Sequence, residues 1–148
     1  EKLPPIENNP AVFGPQLYMD EEECVLGEET AFLAGASSIG IYDAAALAAS
    51  FGGVAFPAHI DRPSFSLLAN LGLWDPAMGF STAEISRNCP PDLFDRPDLR
   101  GVPHFDGSDA HYLDQIRDAH QYMALPARTP QAVLAWLRAG IPPSDGIS

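Results

Sequence analysis

Gly52-Gly53-Val54-Ala55-Phe56-Pro57-Ala58-His59-Ile60-Asp61 decides how this chain is read. Residues 54–58 are short, continuous and apolar, bounded by a glycine pair and then by polar residues, as a buried parallel strand would be. Pro57 has no N–H to donate, so pairing should stop near it. Upstream, Ser37-Ser38 offers an N-cap for an alanine-rich helix over 39–50, with Ile41, Ala44, Ala45, Leu47 and Ala48 at helical spacing. Downstream, Ser64 can cap a helix to residue 71 that turns Phe65, Leu67, Leu68 and Leu71 inward, and Gly72 ends it.

The rest of the chain continues the alternation. Residues 82–86 and 101–105 read as two further brief strands, and 92–99 as a weak helix interrupted by Pro97. A helix is expected over 112–119, followed by an extended stretch over 121–125. Thr129-Pro130 then starts a helix that Gly140 closes, with the stripe Val133, Leu134, Trp136 and Leu137 facing a core. At the other end, Pro4, Pro5, Pro10 and Pro15 make residues 1–27 an irregular connector or lid arriving from an upstream segment, and 28–33 a short helix. The order is that of an α/β fold with short connections. In such folds, polar residues just past the carboxyl ends of strands mark the active face.

Two polar groups hold that position. His59 and Asp61 follow the first strand, and Asp109 and His111, in Gly107-Ser108-Asp109-Ala110-His111, follow the last. Neutral imidazole and hard carboxylate suit Zn, Mn or Fe and leave coordination positions open for water and substrate. The chemistry to which such a set lends itself is hydrolysis, with the cation lowering the pKa of a coordinated water. Arg62, beside Asp61, offers a fork for phosphate oxygens. His104 lies within a strand and His120 beyond the helix after the motif, both weaker ligand candidates. Ser108 is no nucleophile elbow, since Gly107-Ser108-Asp109 is not GxSxG.

Composition bounds the alternatives. The 148 residues are one domain's worth of chain or part of a larger one, and a hydrophobic content of 46% can build a core. Twenty acidic against eight basic residues give a net charge of −12, which opposes nucleic acid as an electrostatic partner. Six acidic residues fall between Asp20 and Glu29, a block expected to be a solvated turn and helix start. Cys24 and Cys89 show no CxxC or Cys/His spacing and read as reduced thiols of a cytoplasmic protein. No apolar run approaches the roughly 20 residues of a membrane span.

Taken in order, residues 52–66, Leu71-Gly72, Ala83-Glu84-Ile85-Ser86 and Ser108-Asp109-Ala110-His111-Tyr112, with Phe13-Gly14-Pro15-Gln16 before them, resemble the C-terminal half of PHP (polymerase and histidinol phosphatase) domains. That resemblance implies part of a distorted (β/α)7 TIM-like barrel, with residues 28–148 as β/α units of a single domain spanning 1–148. It implies a metal-dependent phosphoesterase that hydrolyses phosphate esters with a metal-bound hydroxide and binds up to three divalent ions (Zn, Mn or Fe). His59 matches the third-motif histidine ligand, and Asp109 and His111 the fourth-motif DxH ligands. Arg62 falls beside them as a substrate-binding candidate, while the catalytic residues stay unknown. The family's N-terminal HxH, its next histidine motif and its bridging glutamate have no counterpart here. The expectation is therefore a fragment whose missing ligands come from an N-terminal segment of the same protein or from an oligomer partner, with activity of the chain alone left open. The alternative is a non-catalytic PHP-like binding or regulatory module. Substrates in keeping with the family are phosphorylated small molecules, nucleotides and oligonucleotide ends.

Overall fold

A computed structural model describes residues 3–118 and 122–140. The chain divides between Gly40 and Ile41 into two compact units.

In the first unit, Asn9 caps a one-turn helix α1, Pro10–Phe13, by accepting from the Ala11 N–H at 3.1 Å; Pro10 takes the first helical position. Strands β1, Leu17–Met19, and β2, Val25–Glu28, then pair antiparallel, Leu17 against Glu28 and Tyr18 against Gly27. So a hairpin occupies residues expected to be irregular. Asp20, Glu21, Glu22 and Glu23 of the acidic block lie in its turn, in which Asp20 Oδ1 accepts from the Glu22 and Cys24 N–H groups at 3.1 and 2.8 Å, while Glu28 ends β2. The helix expected over 28–33 is absent. Gln16 explains why: its amide donates to the Glu29 and Ala31 carbonyls at 3.0 and 2.7 Å and accepts from the Leu33 N–H at 2.9 Å. Those long-range bonds satisfy the backbone in an extended form and outweigh the few tenths of a kcal/mol per residue that helix propensity offers.

The second unit opens on helix α2, Ile41–Ser50, two residues later than its capping signal because Gly40 intervenes. It ends at Gly52, whose φ of 78° only glycine adopts without cost. Residues 54–58 form no regular strand, yet the Glu84 N–H donates to the Pro57 carbonyl and the Ile60 N–H to the Glu84 carbonyl, both at 2.9 Å. The segment thus runs parallel to β3, Ala83–Ile85, and Pro57 is what breaks the ladder. On the other side β3 pairs parallel with β4, His104–Asp106, in the register Ala83 to His104 and Ile85 to Asp106. Three consecutive parallel segments therefore end on one side, delivering the loops 59–63, 86–90 and 107–111.

Helix α3, Leu67–Leu71, is capped by Ser66 rather than Ser64, with Ser66 Oγ accepting from the Ala69 N–H at 3.1 Å, and Gly72 closes it. This shift turns Phe65 out, 87% exposed, where the Ser64 register would have buried it; Leu71 is exposed as well. Behind the parallel segments lies the core, made of Ile60, Leu67, Trp74, Met78, Ala83 and Leu99. The expected helix over 92–99 is a single 3-10 turn at Leu93–Asp95. That over 112–119 shrinks to Leu113–Gln115. Tyr112, Leu113 and Ile116 are all exposed, so no packing face stabilises a longer helix. Ala119, His120 and Gln121 lie outside the described residues. Helix α4, Pro130–Ala139, forms as the Thr129 cap and Gly140 stop predict, and its stripe Val133, Leu134, Trp136 and Leu137 is half-buried. Among the described residues, no helix is long and apolar enough to cross a membrane.

Candidate functional site

The loops at the carboxyl ends of the parallel segments enclose an open cleft of about 500 Å³. Asp61, Arg62, Asp109 and His111 line it together with Arg87, Asn88, Ser108 and Gln115. Four of the polar residues singled out in the sequence thus meet, although 47 positions separate Arg62 from Asp109.

Hydrogen bonds and an ion pair hold them. Asp61 accepts from the Ser86 N–H at 2.7 Å and the Ser86 hydroxyl at 2.5 Å, tying the first loop to the end of β3. The Arg62 N–H donates to the His59 carbonyl at 3.0 Å, and its own carbonyl accepts from the buried Ser66 hydroxyl at 2.6 Å. One short turn therefore connects His59 to the cap of α3. The Arg62 guanidinium forms an ion pair with Asp109, so the arginine expected to meet phosphate is engaged by a carboxylate expected to meet metal. His111 Nδ1 lies 2.9 Å from the Asp109 carbonyl, and its N–H donates to Gln115 Oε1 at 2.8 Å.

His59 and Asp109 both adopt positive φ, 33° and 47°. Such conformations cost non-glycine residues on the order of 1–3 kcal/mol and gather at functional sites. His59 does not line the cleft; its Nδ1 is buried without a hydrogen-bond partner. Its imidazole instead bears on Glu84, a residue the sequence reading passed over. Burial pushes the Glu84 carboxyl above its ordinary range, His59 opposes the rise, and Asp109, Asp106 and Asp61 add to it. The available signal was a carboxylate in the middle of an otherwise apolar strand. Arg87, Asn88 and Gln115 were missed too, since nothing in their immediate sequence marks them. His104 turns away from this chemistry and stacks on Phe94, ring centroids 3.8 Å apart.

As donors, a buried unpartnered imidazole nitrogen, a second imidazole and a carboxylate suit a borderline divalent cation. Among the described residues, no three His, Cys, Asp or Glu side chains converge tightly enough to hold one by themselves. Asp109 and His111 line the cleft and are donors of that chemistry, whereas His59 does not line it with them.

The two cysteines are free thiols. Burial, then the Asp61 and Asp106 carboxylates, push the Cys89 thiol up to about 11. A raised thiol pKa leaves about one molecule in a thousand as thiolate at pH 8. Ellman's reagent at pH 8 is expected to modify exposed Cys24 on the order of 100-fold faster than Cys89, with the Cys89 rate climbing towards pH 11. Equal rates for both thiols would contradict this.

No family model matches the chain, and no curated protein or solved structure matches it either.

Proposed function

We propose that this chain is the C-terminal part of a PHP-type metal-dependent phosphoesterase, with His59, Asp109 and His111 as its share of the metal ligands. The observation that carries the reading is the convergence of Asp109 and His111, from the loop after β4, with Asp61 and Arg62, from the loop after residue 58, on one cleft at the ends of parallel segments. On this reading β3, β4 and the 54–58 segment belong to a distorted barrel completed by further chain, either an N-terminal segment or an oligomer partner. Large apolar side chains left in solvent support that, with Phe51, Phe65 and Leu113 each 85% exposed or more. Divalent cations (Zn, Mn or Fe) bound there would supply Lewis acidity, bringing water into ionisation range near neutral pH and neutralising phosphate charge. The chain's own residues orient the rest: Asp61 and Ser86 fix the first loop, and Arg62 balances Asp109. The substrate is a phosphorylated small molecule or nucleotide, and nucleic acid only at a strand end. The setting is cytoplasmic, where both thiols stay reduced.

The Arg62–Asp109 ion pair favours a second reading, a PHP-like module that binds without catalysis, because it already neutralises the central carboxylate. Metal content and hydrolysis of a generic phosphate ester by the full-length protein separate the two. Asp109→Ala is expected to lower metal-dependent hydrolysis by at least about 100-fold, the upper end of what losing an outer-sphere partner costs, and to lower bound metal with it. A full-length protein that carries no Mn, Fe or Zn, or whose activity is indifferent to Asp109→Ala, would rule the phosphoesterase out.

A further inference from the structure

Hydrogen-bond accounting in the cleft points beyond the metal ligands. Both of its carboxylates are satisfied from within, Asp61 by the Ser86 N–H and hydroxyl and Asp109 by Arg62. Its donors are not. Among the described residues, Arg87 makes no ion pair or hydrogen bond through its guanidinium, whereas Arg62, Arg96 and Arg117 are each paired with an aspartate and Arg138 donates to the Gly52 carbonyl at 2.5 Å. Arg100 and Arg128 do not line the cleft. The Asn88 side-chain amide is unspent, and Gln115 uses its Oε1 on the His111 N–H, which leaves its NH2 group to donate. In a chain of net charge −12, an uncommitted guanidinium in a cleft that two amide donors also line offers an anion complementary groups.

We infer that Arg87, with Asn88 and Gln115, forms an oxyanion-binding subsite that takes the phosphoryl group of a small molecule. Guanidinium and amide N–H groups supply the forked donors that a tetrahedral oxyanion accepts. The cleft volume of about 500 Å³ lies within the range of small-molecule sites, and the overall negative charge works against a longer polyanion. The subsite gives the proposed phosphoesterase its substrate anchor and to that extent rests on that reading, yet binding by these donors needs no metal. It also moves the anchoring role from Arg62, which is committed to Asp109, to Arg87.

The test is calorimetric titration of the full chain with inorganic phosphate and with phenyl phosphate, at low salt and in EDTA. Binding of both is expected, with mutual competition that identifies the phosphoryl group as the part recognised. Arg87→Ala should raise Kd at least about tenfold and Arg87→Lys by less, while Arg100→Ala leaves Kd unchanged. Circular dichroism and the thermal midpoint of each variant establish that it is folded. No binding by the parent chain, an unchanged Kd in folded Arg87→Ala, or phenol binding as well as phenyl phosphate would overturn the subsite. Because EDTA removes any metal contribution, a protein without metal or hydrolysis that still binds phosphate through Arg87 would sink the phosphoesterase and leave the subsite standing. The reverse pattern would do the opposite.

Discussion

Ile60→Ala should lower the free energy of unfolding by about 2–5 kcal/mol, and Ile60→Val by only about 0.5–1.5 kcal/mol. Ile60 is 0% exposed and packs in the small cluster of Leu67, Trp74, Met78, Ala83 and Leu99. With so few fully buried side chains, the cavity left by three lost carbons has little surrounding mass to collapse into it. The same residue donates its N–H to the Glu84 carbonyl at 2.9 Å and stands between His59 and Asp61. Core packing thus fixes the backbone from which two polar groups of the site project. Since whole domains are stable by only about 5–15 kcal/mol, the loss would be visible as a large shift of the urea midpoint at unchanged slope. A cost below about 1 kcal/mol would mean that Ile60 does not anchor this loop.

Local chemistry was legible in the sequence, and long-range chemistry was not. Thr129-Pro130 and Gly140 bracket α4 because a cap and a stop act within a few residues of the groups they satisfy. Ser64 and Ser66 compete as caps two residues apart; the buried Ser66 hydroxyl, which accepts from the Ala69 N–H and donates to the Arg62 carbonyl, takes the role, and Phe65 is left exposed. Residues 28–33 went the other way because Gln16, more than ten positions earlier, takes up their backbone groups. The same division holds at the site. Asp109, His111, Asp61 and Arg62 were visible as polar clusters just after apolar runs, a pattern with a period and a place. Glu84 and Arg87 acquire meaning only from neighbours that the parallel pairing brings up, and no spacing within residues 82–90 encodes that.

Gly107→Ala is the second substitution with a large expected effect, because Gly107 and Glu84 share one volume. A Cβ at Gly107 would stand 2.1 Å from Glu84 Oε1, 2.5 Å from Cδ and 2.9 Å from Cγ. A swing of the carboxylate alone does not clear the Cγ contact, so either the whole Glu84 side chain leaves its place or the 107–111 loop moves, carrying Asp109 and His111 with it. Overpacking of this kind costs about 1–3 kcal/mol. Two variants at Glu84 separate shape from charge. Glu84→Ala empties the volume, so the Gly107→Ala/Glu84→Ala double variant should recover most of the stability that Gly107→Ala loses. Glu84→Gln keeps the shape and removes the charge, and should not rescue. By itself it should stabilise the protein at neutral pH, because the raised folded-state pKa of Glu84 means that stability is gained as pH falls through that pKa and lost as pH rises. Urea denaturation of Gly107→Ala, of both Glu84 variants and of the two double variants at pH 5 and pH 8 reads both effects. Rescue by glutamine as complete as by alanine, beyond the gain that Glu84→Gln brings by itself, would show that shared volume is not what requires glycine at the head of the motif.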